Sequence, residues 1–399
     1  MRLLTNTSST CFDKLKNKSA FFVVILVVSI LTASAGLLLL KNSPKAEQSL
    51  RFVSIIHRHG ERAPKGTYPM DPYEAESFWP EGLGALVAQG KVSMHALGRF
   101  LRHRYDGFIS SAYIPAEISV LTDYVDRTIM SAQLVLAGLY PPVRIQIWNP
   151  DLPWQPIPVH TLPPQCDEIF RVRKRCPLLS EEEKRRNAIL DLELNKHKDF
   201  IANLSKISGA ELSSIKSIKF LYDNLLIVEQ QKLPPPKWTE QLNQEKLREL
   251  AKIDFLELHT SATMLKLQTG VILNEIVSNM KRKIEDPENF KRRLTLYSAH
   301  DRNLVRVWRA MNFSQDIKDQ PYYGAALIIE LHEINNQYLV KILHKKGSLD
   351  DDLSVLKMED CAEVLAGEMG DVMCNFSAFS AVLQPSMISN FEKACELSK

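Results

Sequence analysis

The sequence predicts an α/β fold, a central mixed sheet flanked by helices with a mostly helical cap subdomain inserted. Two observations carry this. Short apolar runs alternate with helical stretches early in the chain and return near its end. Between them, residues 180–284 keep helical periodicity with few strand signals.

Residues 52–56, "FVSII", read as a buried strand, apolar and β-branched and bounded by charge. A helical stretch follows at about 93–105, an extended piece at 118–122, and a second helix at about 127–139, closed by Pro141-Pro142. Ser180-Glu181-Glu182-Glu183 has the spacing of a capping box and predicts a helix opening there. Strand character returns at 294–298. A hairpin is expected from 326–333 and 337–343 around Asn335-Asn336. The cap insertion covers about 145–290 within a domain running from 50 to 399, and 41–49 form a short polar connector. There is no internal repeat and no low-complexity segment.

The chain has 399 residues and a formal charge of +3. Residues 1–19 hold Arg2, Lys14, Lys16 and Lys18 against Asp13, which is the whole excess. The remainder balances, so no basic face is implied and nucleic acid is not expected as a partner. Residues 20–40, "AFFVVILVVSILTASAGLLLL", carry no charge, and as a helix they are long enough to cross a bilayer. The preceding basic tail would stay in the cytoplasm, giving a single-pass type II membrane protein with everything after residue 40 lumenal or extracellular. The rival reading is a signal peptide cut after Ala33-Ser34-Ala35, which would release a secreted or lysosomal protein. Both deliver the chain to the secretory pathway. Five cysteines beyond the apolar run, Cys166, Cys176, Cys361, Cys374 and Cys395, lack zinc-type spacing and suit disulfides in that compartment. Asn203, Asn312 and Asn375 each begin a glycosylation sequon on the same side.

Three charged clusters stand at strand ends or helix starts: Arg58-His59-Gly60-Glu61-Arg62, Asp126-Arg127-Thr128 and His300-Asp301. Ligands of open α/β sheets bind at such ends. Three arginines, two or three imidazoles and a carboxyl form an inventory suited to a phosphate monoester, because guanidinium binds phosphate bidentately and imidazole can attack it. Taken singly the residues say little: an arginine after a strand usually makes a surface ion pair. His57-x-His59 could also place two imidazoles on a metal. Arg58 and Arg62 would then sit beside a dication with few acidic ligands near, so no metal or other cofactor is expected.

"RHGERAP" at 58–64 resembles the first motif of the histidine acid phosphatase family, and "VDRTIMSA" at 125–132 and "SAHD" at 298–301 resemble the other two, in family order. "WNPDLPWQPIPVHT" at 148–161 is similar to the lysosomal and prostatic type of animal enzyme in particular. The resemblance implies His59 as a nucleophile forming a phosphohistidine and Asp301 as proton donor. It implies Arg58, Arg62, Arg127 and His300 as ligands of the phosphoryl oxygens. Those roles fit the chemistry: the guanidiniums would disfavour imidazolium at His59, and a bound phosphate would raise the Asp301 pKa. Gly60, without a Cβ, is expected to let the backbone approach the ligand. His57 lies on the alternate face of the strand and reads as structural; His160 reads as a hydrogen-bonded loop histidine.

The resemblance also implies two disulfides, Cys176 with Cys395 and Cys361 with Cys374, leaving Cys166 over. A third family pair is missing, with Asp223 and Ala326 near its positions. Arg302 and Asn303 follow His300-Asp301 where the family has small hydroxyl residues, and Tyr124 stands where it has an aspartate. All three are expected to border the pocket. The expected function is an acid phosphatase acting on small-molecule or protein phosphate monoesters. Specialisation for inositol phosphates or lipid phosphates, and an inactive phospho-ligand-binding ectodomain, are the alternatives. A homodimer stays open.

Overall fold

Nine strands form one mixed sheet in the computed structural model, which describes residues 46–172, 176–349, 353–367 and 370–396. In chain order the main elements are β1 (Leu50–Arg58), α1 (Ala88–Arg104), β2 (Ile118–Thr122), α2 (Asp126–Leu139) and the two-residue β3 (His160–Thr161). Five helices follow: α3 (Pro177–Asn195), α4 (Lys198–Ser208), α5 (Ile215–Gln230), α6 (Gln244–Phe255) and α7 (Ala262–Glu285). Then come β4 (Leu294–Ala299), α8 (Asp301–Ala310), β5 (Ala326–Ile334), β6 (Gln337–Lys345) and β7 (Leu353–Leu356). The chain closes with β8 (Glu363–Ala366), β9 (Asp371–Asn375), α9 (Phe376–Leu383) and α10 (Phe391–Ala394). The apolar segment at 20–40 lies outside the described residues; among those described, no helix is long and apolar enough to cross a membrane.

The sheet order is β3-β2-β4-β1-β5-β6-β9-β8, with β7 also on β6. The pairs from β3 to β1 are parallel and those from β1 to β8 antiparallel. The central strands are apolar on both faces because both are covered. Val53, Ile55, Leu294 and Leu296 pack with α1 and α2, while Phe52, Ile56, Tyr297 and Leu327 pack with α7 and α8. The β5–β6 hairpin turns on Asn335 and Asn336, whose φ values of 50° and 62° are the left-handed pair such a turn requires.

Helix α3 starts at Pro177, three residues before the expected opening. Proline suits the first helical position, so Ser180 lies inside the helix and its hydroxyl bonds back to the Cys176 carbonyl. Disulfides join Cys176 to Cys395 and Cys361 to Cys374, and Cys166 is an exposed free thiol. The first bridge ties the start of α3 to the end of the described chain. Asn203 and Asn312 are exposed, whereas Asn375 is half-buried and caps α9 through Oδ1.

Candidate active site

Strand register brings the three clusters together. Arg58 of β1 pairs with Ala299 of β4, and Thr122 of β2 with Ser298. These strands are parallel, so the next residues of each, His59, His300 and Asp123, leave the sheet at the same edge. Two serines fix the motifs to α2: the Ser131 hydroxyl accepts from the Gly60 N–H at 3.2 Å, and Ser298 donates to the Thr128 carbonyl at 2.8 Å. Helices α2 and α8 both begin at this edge, where their N-terminal dipoles favour an anion.

The His59 ring stands 5.2 Å from that of His300, edge to face. Its Nδ1 is 2.8 Å from the Gly60 carbonyl, which can only accept, so Nδ1 carries the proton. Nε2 is then a lone pair, and it faces the Nε–H of Arg127 at 3.2 Å. Burial and the charges of His300, Arg127, Arg58 and Arg62 hold the imidazole pKa well below its usual value. His59 is therefore neutral in acid.

Each arginine is held differently. Arg58 donates to the Pro321 carbonyl, lies 3.8 Å over the Tyr323 ring and sits 3.8 Å from the Asp301 carboxylate. Arg62 donates to the Ala63 carbonyl and pairs with Asp223 of α5 at 2.7 Å. Arg127 has no carboxylate within 4 Å among the described residues. Asp301 accepts from Gln320. Burial raises the Asp301 pKa, but Arg58 and Lys219 together with that hydrogen bond outweigh it and keep the carboxyl well below its ordinary value. His300 bonds Asp123 through Nε2 at 2.6 Å, and burial takes its pKa down to about 4 against that partner. Asp123 is fully buried and also pairs with Arg171 at 2.7 Å.

All six expected site residues line one cleft of ≈460 Å³. Sequence reasoning missed four supports. Asp123 sits one place before the position compared with the family aspartate, and only the strand register turns it toward His300. Gln320 and Tyr323 lie on a loop with no motif. Asp223 was noted only as a lost cysteine. Three expectations need correction. Tyr124 is exposed and does not line the cleft, whereas Arg302 and Asn303 do. Gly60 is small because of packing: an added Cβ would lie 2.6 Å from the Gly90 carbonyl of α1. His160 is an exposed residue of the short strand β3 rather than a loop. His57 is fully buried beside the site, with Nδ1 3.1 Å from the Arg58 carbonyl.

The sequence model of the histidine phosphatase superfamily (branch 2) matches residues 49–345. The chain belongs to this family. Bos taurus prostatic acid phosphatase is 36% identical over 312 residues, 75% of this chain and 78% of its own length. Homo sapiens lysosomal acid phosphatase is 29% identical over 376 residues, 93% of this chain and 86% of its own. Among solved structures, the apo form of a Hafnia alvei phytase matches with a TM-score of 0.64 at 17% identity, covering 88% of this histidine phosphatase and 98% of the phytase, a likeness of fold.

Proposed function

We propose that this histidine phosphatase hydrolyses phosphate monoesters in acid through a phosphohistidine on His59. The observation that carries the reading is the His59 tautomer: Nδ1–H donates to the Gly60 carbonyl, leaving the Nε2 lone pair facing the Arg127 guanidinium, with the charges of Arg58 and Arg62 also acting on the ring. Arg58, Arg62 and Arg127 take the phosphoryl oxygens and draw off charge as Nε2 attacks phosphorus. The P–Nε2 bond forms as the ester P–O bond breaks, and the leaving oxygen takes a proton from Asp301. Water then attacks the phosphohistidine, Asp301 accepts its proton, and inorganic phosphate departs.

Arg58 and Lys219 favour the ionised carboxylate of Asp301, so its proton arrives with the substrate. A monoester monoanion carries one, since its second pKa is about 6. Bound phosphoryl oxygens also oppose the cations that keep the carboxyl acidic. His300 serves the same phosphate: Asp123 holds its Nε2 proton and supports a positive ring once the anion is present.

His59→Ala should abolish turnover of nitrophenyl phosphate while leaving the thermal midpoint near that of the wild type. A few per cent of residual activity or more would remove His59 from the role. The same proposal places the protein in the secretory pathway, held as a type II membrane protein by residues 20–40. Activity that sediments with membranes after an alkaline wash, on a chain beginning near Met1, is the expected result; a chain beginning at Gly36 would mean signal cleavage.

A further inference from the structure

The proposed proton transfer runs through one carboxyl group, and each of its oxygens accepts an N–H. Oδ1 of Asp301 accepts from the Arg302 backbone N–H at 2.9 Å, a contact that comes with the start of α8. Oδ2 accepts from the side-chain amide of Gln320, 19 residues further along the chain. A carboxylate offers no donor, so the amide must turn its Nε2–H toward it. Asp301 lines the cleft, whereas Gln320 is not part of that lining. Gln320 therefore meets the proton donor from outside the substrate space.

The amide is aimed by a loop that also holds other site residues. The Pro321 carbonyl accepts from Arg58, the Tyr323 ring lies 3.8 Å from the Arg58 guanidinium, and the Gly324 N–H donates to the His59 carbonyl at 3.2 Å. On the other side, Asp319 accepts the Gln320 backbone N–H through Oδ1 at 3.0 Å and pairs through Oδ2 with Arg248 of α6. A residue fixed on both sides loses little further freedom when its side chain holds Oδ2. The charges around Asp301 act differently. Burial opposes its carboxylate, and Arg58 of β1, Lys219 of α5 and Lys65 after the first motif favour it. Arg62, Arg127, Arg302, His300 and the Tyr323 hydroxyl face it as well. Those fields fall off gradually with distance, and Arg58 stands 3.8 Å from Oδ2, beyond a hydrogen bond. The Gln320 bond is local and directional.

We infer that Gln320 is a positioning residue for the proton donor: its amide fixes Oδ2 of Asp301 and favours the carboxylate over the acid, which limits how high in pH an alkyl phosphate is cleaved. This rests on the phosphatase reading above. A hydrogen bond made to the charged form must weaken or turn before the acid forms. Without it Asp301 keeps its proton to higher pH, while the Arg302 N–H still fixes Oδ1. The sign is opposite to ordinary damage, since the altered enzyme works over a wider range of pH.

The test follows kcat for butyl phosphate and for nitrophenyl phosphate from pH 4 to pH 8 in the wild type, Gln320→Met and Gln320→Glu. Both replacements match glutamine in length at a half-buried position, and thermal midpoints check that the fold is kept. Gln320→Met should move the alkaline limb for butyl phosphate up by about one pH unit, the worth of one hydrogen bond to a charged group. Gln320→Glu should move it further, because a second carboxylate opposes ionisation of the first. Nitrophenyl phosphate hardly needs the proton, so its limb should stay in place. An unmoved or lowered limb for butyl phosphate, or equal movement for both substrates, would overturn the role of Gln320. Failure of the phosphatase reading looks different, because the wild type would then hydrolyse neither substrate.

Discussion

Arg127→Ala is the sharpest probe of the phosphoryl site, because Arg127 is the motif arginine with no acidic partner within 4 Å among the described residues. Arg62→Ala would strand the buried Asp223, and breaking such a pair costs about 3–5 kcal/mol before any ligand is considered. Removing Arg127 strands no carboxylate, so lost affinity reports on binding. A hydrogen bond to a charged group contributes about 1.5–3 kcal/mol. At about 1.4 kcal/mol per decade, the inhibition constant of inorganic phosphate should rise roughly 10- to 150-fold. The assay is competitive inhibition of nitrophenyl phosphate hydrolysis at pH 5. Arg127→Lys should fall between, since an ammonium restores the charge but not the planar fork. Arg127 is also among the charges that keep His59 neutral, so the acid limb of the alanine variant should move to higher pH. A phosphate inhibition constant within two-fold of the wild type would refute the placement of the second motif at the phosphoryl group.

Asp301→Asn should cripple alkyl phosphates far more than nitrophenyl phosphate, by a differential approaching the ~10²–10⁴-fold of general-acid help, because an alkoxide needs the proton and a nitrophenolate hardly does; equal losses would make Asp301 a charge-balancing residue instead. His57 makes stability fall in acid. Burial lowers its pKa from 6.5 to about 4, so between those values the unfolded chain takes up a proton that the folded one refuses. Stability lost as pH falls through that window is at most roughly 3 kcal/mol from this residue. Thermal midpoints should show His57→Gln less destabilising at pH 4.5 than at pH 7, and a constant difference would exclude the effect.

Much of the sheet was legible because its strands carry local signals. Residues 118–122 form β2 as expected, and the Asn335-Asn336 pair marks the hairpin turn. The six candidate site residues were legible because they sit in contiguous motifs. Their supports were not, since no local pattern encodes a contact between distant segments. Asp123 meets His300 only through the pairing of β2 with β4. Gln320 and Tyr323 act from a loop shaped by what it touches. The start of α3 was readable in principle: Pro177 was a stronger start signal than the Ser180–Glu183 spacing. Gly60 shows the opposite limit, because its requirement comes from the backbone of α1, which no inspection of the motif reveals.

The pairing of Arg58 with Ala299 has a kinetic side. The first and third motifs meet only when β1 closes against β4, across the whole helical stretch between them. Loop-closure entropy grows slowly with length, but pairings between distant segments slow folding. A chain that has formed its helices but not this pairing holds half a site and cannot turn over. Regained activity during refolding should therefore lag behind helical circular dichroism and coincide with the last tertiary signal, making catalysis a reporter of the closure of β1 against β4.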